Sequence, residues 1–188
     1  HMHVAEAKAE VEYVKETKGV PTVTHLRNLG VLDKNLLAVH TVWLTDEEVD
    51  MFKEYDVKVS HNPASAMRVL GFAKIPKMLK KGICVSIGTD GASANNRMTM
   101  IDEMYVTSLI HKGWRLDPTV VKAEEIITMA TTNGAKALLW EDEIGALKPG
   151  MKADLIIINP DSAAMLPIHD PIANIVTAMH ESNVESVM

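Results

Sequence analysis

The chain has 188 residues, a formal charge of −6 and 47% apolar residues, which allows one domain with a sizeable core and excludes a disordered chain. It has no basic stripe and no apolar run long enough to cross a bilayer, so we expect neither nucleic acid nor membrane as a partner. Its single cysteine, Cys84, cannot form an internal disulfide and predicts a cytoplasmic location.

Short apolar runs alternate with helical patterns along most of the chain. The runs cover residues 2–5, 36–39, 57–60 and 83–87. Helices are predicted over 6–18, 45–55, 75–81, 98–111, 123–130 and 135–140. Thr45 and Glu48 have the spacing of a capping box at the start of the second helix. This alternation predicts βα units and a parallel sheet, that is, an α/β fold.

The pattern changes after Gly145. Gly150 predicts a turn, residues 155–158 predict a new strand, and Pro160, Pro167 and Pro171 predict loops. We therefore divide the chain into βα units over 1–143 and a small β element over 144–188.

Side chains that can bind metal accompany all four apolar runs. His3 lies in the first run with Glu6 just after it, His40 and His61 directly follow the second and third runs, and Asp90 follows the fourth. The carboxyl ends of parallel strands meet at one face of a sheet, so these residues are expected to converge. Imidazole and carboxylate suit a catalytic divalent metal, and a carboxylate beside it can move a proton. The sequence therefore predicts a metal or acid–base site.

The remaining candidates are interpreted as structural. His25 and His111 lie in helical segments and are expected on the surface. Cys84 is expected to be an inert thiol in the core.

These motifs resemble the amidohydrolase superfamily, in the branch of methylthioadenosine/S-adenosylhomocysteine deaminases and related chlorohydrolases. The matching stretches include His3-Val4-Ala5-Glu6, Ala38-Val39-His40, Ser60-His61-Asn62-Pro63, Gly88-Thr89-Asp90-Gly91 and Lys148-Pro149-Gly150. Their order and spacing hold across nearly the whole chain. The resemblance implies the C-terminal half of a TIM-type (βα)8 barrel, with strands five to eight, followed by part of a small β-sandwich.

The resemblance also implies residue roles. His3 and Asp90 would be metal ligands, with zinc as the metal, and Asp90 would act as a base toward the attacking water. Glu6 would be the proton shuttle, His40 would lie near the metal and the water, and His61 would contact substrate. The implied reaction is hydrolytic deamination of an adenine nucleoside such as methylthioadenosine or S-adenosylhomocysteine, in which Glu6 protonates a ring nitrogen and ammonia leaves.

Two alternatives to this function remain open. The substrate could be guanine or a triazine, because strands one to four carry substrate contacts in the family and have no counterpart here. The chain could also be an inactive half-barrel that only self-associates. The family's paired histidines on the first barrel strand are likewise without a counterpart, so we expect the chain to be an incomplete fragment with little activity of its own.

A half-barrel would also predict a homo-oligomer. It would leave two strand edges open and uncover apolar side chains on the inner face of the sheet. The candidates for this face are Leu37, Val39, Val57, Val59, Val85 and Ile87.

Overall fold

The computed structural model describes residues 1–188, which form an α/β fold with six strands and nine α-helices. The strands are Met2–Val4 (β1), Leu37–His40 (β2), Lys58–His61 (β3), Val85–Ile87 (β4), Ile156–Ile158 (β5) and Val184–Val187 (β6). The helices are Lys8–Lys18 (α1), Thr22–Asn28 (α2), Asp46–Glu54 (α3), Pro63–Val69 (α4), Ile75–Lys80 (α5), Met100–Arg115 (α6), Ala123–Ala130 (α7), Thr132–Ala137 (α8) and Pro171–Thr177 (α9). A short 3₁₀ turn covers Glu181–Asn183.

The first four strands form one sheet in the order β1-β2-β3-β4, and every neighbouring pair is parallel. His3 is in register with Val39, and Val59 is in register with Val85. The predicted parallel sheet of βα units is therefore confirmed. Since the strands all run in the same direction, their carboxyl ends lie along one edge of the sheet, and this edge carries the predicted site residues.

Local signals in the sequence set several helix ends. The Thr45 hydroxyl accepts a hydrogen bond from Glu48 N–H and the Glu48 carboxylate accepts one from Thr45 N–H, so the predicted capping box is confirmed. Helix α1 ends at Gly19, which adopts a φ of 74° that favours glycine. Helix α7 has the bounds predicted from the sequence.

Other helices differ from the prediction. Helices α2, α4 and α9, of seven residues each, were not predicted because their sequences show too little apolar periodicity. Pro171, interpreted as a loop residue, occupies the first turn of α9, where a missing N–H costs nothing, and Asp170 caps that helix. Helix α6 extends four residues beyond its predicted end, and α8 begins three residues before its predicted start.

The apolar strand residues expected to be uncovered are all buried, at 8% exposure or less. Val57, Val59, Val85 and Ile87 belong to the main hydrophobic core, which also contains helix residues such as Phe52. The expectation of an exposed apolar face was wrong, because these four side chains pack in the core together with helix residues. Strands β1 and β4 are nevertheless at the two edges of the sheet, each paired on one side only.

The C-terminal part of the chain adds a second, smaller sheet in which β5 pairs with β6 in antiparallel orientation. Helix α9 packs on α6 and α7, and Met165, Val176 and Met179 join the same core as the parallel sheet. The division of the chain after residue 143 stays a prediction. No helix has the length and apolar character needed to cross a membrane.

Candidate active site

Four of the predicted site residues lie close together at the carboxyl edge of the parallel sheet. One carboxylate oxygen of Glu6 lies 3.6 Å from His3 Nδ1, and the other lies 3.6 Å from His40 Nε2. His40 Nε2 also lies 3.8 Å from Asp90 Oδ2. The His3 and His40 rings are adjacent, with centroids 4.9 Å apart and their planes inclined by 58°. Two imidazoles and two carboxylates from three strand ends therefore surround one small space.

The backbone at these strand ends is strained in a way that helps to place the side chains. His40, Thr41 and Asp90 adopt φ values of 69°, 53° and 62°, a region that non-glycine residues rarely occupy. Such positions cost of order 1–3 kcal/mol each and cluster at functional sites. The turn that carries Glu6 is held by Glu10, whose carboxylate accepts hydrogen bonds from the N–H groups of Ala5 and Glu6.

The charge states of buried His40 and partly buried Asp90 suit a metal or a proton acceptor. Burial lowers the pKa of His40 below its ordinary value, although the carboxylates of Glu6 and Asp90 act in the opposite direction. Its imidazole is therefore neutral at neutral pH. Burial works to raise the pKa of Asp90, but hydrogen bonds from the Ser65 hydroxyl and Gly91 N–H outweigh it and hold that pKa below its ordinary value. Asp90 is therefore ionised.

The residues present fit a divalent cation. His3, Glu6 and His40 each offer one ligand atom, and these atoms all lie within 4.8 Å of one another. Both ring nitrogens of His40 are buried without a hydrogen-bond partner, which is costly unless another group occupies that space. Asp90 lies outside this triplet but next to His40.

Ser65 was not among the predicted site residues, although it lies only two residues after the matched stretch that contains His61. Its hydroxyl donates a 2.6 Å hydrogen bond to Asp90 Oδ2, while Gly91 N–H donates to the other carboxylate oxygen. These bonds fix the rotation of the Asp90 carboxylate. Residues that orient a metal ligand in this way commonly contribute to metal affinity.

We expect Ser65→Ala to weaken zinc binding by about 10- to 100-fold, because the Asp90 carboxylate would lose its fixed orientation. Isothermal titration of zinc into the metal-free protein measures this change. Thr128→Ala, on an exposed face of α7, is the matched control and should bind as the unsubstituted chain does. Equal affinity in Ser65→Ala would show that the Ser65 hydroxyl is not needed to orient Asp90 for metal binding.

His61 lies at the end of β3, as predicted, but is not part of the cluster of ligand atoms. Its Nε2 lies 3.0 Å from His111 Nε2, and both side chains are buried. The expectation that His111 is a surface residue was therefore wrong. Helix α6 turns its polar residues toward the sheet, and the hydrophobic pattern of the helix gives no sign of this.

A buried glutamate connects the start of α4, just after His61, to the loop that carries Asp90, and it too was missed. Glu103, on α6, is fully buried, and its carboxylate accepts hydrogen bonds from Ala64 N–H at 3.1 Å and from the Asn95 amide at 2.6 Å. The same Asn95 amide donates to Thr89 O, one residue before Asp90. Glu103 thereby positions the first turn of α4 and the loop after β4 relative to each other.

A cluster of imidazoles and carboxylates at the carboxyl edge of a parallel sheet defines an α/β protein with a candidate metal-dependent active site. Comparison with known proteins identifies the family. The chain belongs to the amidohydrolase family, whose model matches residues 1–188.

Curated relatives of this chain include nucleoside deaminases. The chain is 44% identical over 190 residues to the 5-methylthioadenosine/S-adenosylhomocysteine deaminase of Syntrophomonas wolfei, and the match covers 100% of the chain and 44% of that protein. It is 39% identical over 187 residues to the 5'-deoxyadenosine deaminase of Methanopyrus kandleri, with 99% of the chain and 43% of that protein covered. The chain thus spans less than half the length of these relatives.

Solved structures give the same fold. An adenosine deaminase from Xanthomonas campestris with bound zinc superimposes with a TM-score of 0.98 at 29% identity, covering 100% of this chain and 43% of that one. The atrazine chlorohydrolase of Arthrobacter aurescens, complexed with zinc, superimposes with a TM-score of 0.91 at 25% identity, covering 99% and 41%. Zinc in these similar structures supports a divalent metal for the family site.

Proposed function

We propose that this chain is part of a metal-dependent deaminase that hydrolyses the amino group of an adenine nucleoside, such as methylthioadenosine or S-adenosylhomocysteine. The observation that carries the proposal is the convergence of His3, Glu6, His40 and Asp90 at the carboxyl edge of the sheet. The names of the curated relatives support the reaction and the substrate class.

The proposed roles follow from the position and charge of each group. His3 and Asp90 would hold zinc, with His40 beside them, and zinc bound there would supply Lewis-acid chemistry that makes a water molecule acidic near neutral pH. Glu6, about one-third exposed, lies within 3.6 Å of both imidazoles and would carry a proton from water to a ring nitrogen of the base. Neutral His40 would accept or donate a hydrogen bond beside the attacked carbon, and His61 would contact substrate.

We further propose that the four parallel strands are strands five to eight of a (βα)8 barrel, and that β5 and β6 belong to a flanking β-sandwich. The parallel order and the match to less than half of each relative support this placement. In such a barrel the site would be completed by groups from the other strands.

Guanine and triazines remain alternative substrates, because similar structures include guanine deaminase and atrazine chlorohydrolase. Those matches are 25–26% identical, whereas the named nucleoside deaminases are 39–44% identical. Nucleoside deamination is therefore the stronger proposal.

A substrate panel tests the proposal. The protein encoded by the complete gene would be loaded with zinc and assayed for release of ammonia from 5'-methylthioadenosine, S-adenosylhomocysteine and guanine, and for release of chloride from atrazine. We expect turnover of the two nucleosides. Preferred turnover of guanine or atrazine would replace the proposed substrate class, and no turnover of any would contradict an enzymatic role.

We predict that the 188-residue chain alone binds zinc weakly and deaminates little. Catalytic zinc usually has three protein ligands, and His3 and Asp90 are two, with His40 as the remaining neighbour. Metal analysis after dialysis against buffer checks this prediction. Stoichiometric zinc that survives dialysis would show that the residues of this chain form a complete site.

Self-association is the proposed alternative to an enzymatic role for the chain alone. Strands β1 and β4 each have one unpaired edge, and such edges favour pairing with another copy. Light scattering at micromolar concentration should then give the mass of a dimer or larger. A monomer that melts cooperatively would contradict self-association.

A further inference from the structure

Two buried imidazoles and a partly buried arginine form a continuous line of contacts behind the candidate site. His61 Nε2 lies 3.0 Å from His111 Nε2, and His111 Nδ1 lies 3.2 Å from an Arg115 guanidinium nitrogen. Arg115 is itself held by a hydrogen bond that it donates to Ala73 O. The line runs from the end of β3 to the last turn of α6, and only one arrangement of protons satisfies it.

Arg115 determines which ring nitrogens of His111 and His61 carry protons. A guanidinium can only donate hydrogen bonds, so His111 Nδ1 must be the unprotonated, accepting nitrogen. Burial, assisted by the charge of Arg115, lowers the pKa of His111 to about 3, so its ring is neutral and carries its proton on Nε2. That N–H donates to His61 Nε2, which must therefore accept.

The same reasoning then applies to His61. Burial and the neighbouring imidazoles hold the pKa of His61 well below its usual range, so this ring is also neutral. With Nε2 accepting from His111, its only proton is on Nδ1. The reverse order of protons would point a His111 N–H at the Arg115 guanidinium, which would place two donors against each other.

His61 Nδ1 is buried and has no hydrogen-bond partner in the chain. A buried donor without a partner is costly, and an acceptor from a ligand would relieve that cost. The strand that carries His61 neighbours the strand that carries His40, so the free donor belongs to the same edge of the sheet as the metal-binding cluster.

We infer that Arg115 and His111 are positioning residues that lock His61 in the tautomer with its proton on Nδ1, so that this strand-end imidazole donates a hydrogen bond to an acceptor atom of the bound nucleoside. The part concerning the nucleoside rests on the proposed function. The tautomer itself does not, because it follows from contacts within the chain.

Nuclear magnetic resonance can observe the tautomer directly. Long-range proton–nitrogen correlation spectra of the chain, with its histidines labelled with ¹⁵N, distinguish a protonated from an unprotonated ring nitrogen. We expect His61 to show a protonated Nδ1 and an unprotonated Nε2. His25, partly exposed on α2, gives a reference signal from a ring outside the line of contacts.

Two substitutions at one position separate positioning from packing. His111→Gln keeps an amide N–H that can donate to His61 Nε2, and should preserve the His61 tautomer. His111→Phe keeps the ring volume but removes the donor, and should release His61 to exchange between tautomers. If His111→Phe does not fold, Arg115→Met makes the same test. It removes the donor to His111 Nδ1, so that His111, and with it His61, can exchange between tautomers.

A protonated Nε2 on His61 in the unsubstituted chain, or an unchanged tautomer in the variants without the donor, would overturn the inference. In the complete enzyme, His111→Phe should lower kcat/KM by about 2- to 10-fold, the effect of one hydrogen bond, and His111→Gln should restore it. Absence of turnover in the unsubstituted enzyme would instead contradict the proposed function, whereas the tautomer measurement would still decide this inference.

Discussion

Glu6→Gln is expected to reduce deaminase turnover by about 10²- to 10⁴-fold in the complete enzyme while the bound zinc stays unchanged. Glutamine keeps the size of the side chain but cannot take up and return a proton. Glu6 is suited to this exchange because its two oxygens lie 3.6 Å from different imidazoles and about one-third of the side chain is exposed to solvent. Steady-state kinetics with parallel zinc analysis measures both properties.

Asp90→Ala is the informative contrast, because it should remove both zinc and activity. The Asp90 carboxylate is ionised and held in one orientation by two hydrogen bonds, as a ligand requires. Glu12→Gln, on an exposed part of α1, controls for the loss of an acid far from the site and should change neither property. Loss of zinc in Glu6→Gln would make Glu6 a ligand, and unchanged turnover would remove it from the mechanism.

The parallel sheet and most of its site could be predicted because they depend on local patterns. Apolar runs without alternation are typical of buried strands, and a polar residue that ends such a run lies at the carboxyl edge of the sheet. His40 and Asp90 were located in this way, and the structure brings them together with His3 from the first run and Glu6 just after it. Their distances depend on the register of strands far apart in sequence, which no local pattern specifies.

The buried polar residues of α6, which form a second layer behind the site, could not be predicted from the hydrophobic pattern of that helix. The apolar residues Tyr105 and Leu109 of helix α6 are about half exposed, whereas Glu103, Thr107 and His111 are fully buried. A helix that presents polar groups to buried loops reverses the usual rule that its apolar face is inside. The spacing of Glu103, Thr107 and His111, four residues apart, was the available signal, since such residues share one face.

Glu103 has the largest expected effect on stability among these second-layer residues. Burial raises its pKa to about 7, although the hydrogen bonds from Ala64 N–H and the Asn95 amide act in the opposite direction. In the unfolded chain this carboxyl has its ordinary pKa of 4.5. Between these two values the folded protein keeps a proton that the unfolded chain has released, so folding stability decreases as pH rises through this window and is constant above it.

We therefore predict that the free energy of unfolding falls between pH 5 and pH 8, and that it falls further in the unsubstituted protein than in Glu103→Gln. The difference should be up to roughly 3 kcal/mol, since one pKa unit corresponds to about 1.4 kcal/mol. Glutamine stays neutral across the window, so comparing the two proteins cancels the titration of every other group. Glutamine also turns an N–H toward one of the two donors, which should make the variant less stable at pH 5, where Glu103 is protonated.

Urea denaturation at both pH values measures this difference. Glu124→Gln, at an exposed position of α7, is the control and should show the same pH dependence as the unsubstituted protein. The sign of the effect is informative about the site. If the two donors keep the Glu103 carboxylate ionised, the folded protein would lose stability on acidification. If burial dominates, the folded protein gains stability on acidification. Parallel curves for Glu103→Gln and the unsubstituted protein would show that the hydrogen bonds to Ala64 and Asn95 fully offset the cost of burying this charge between the two site loops.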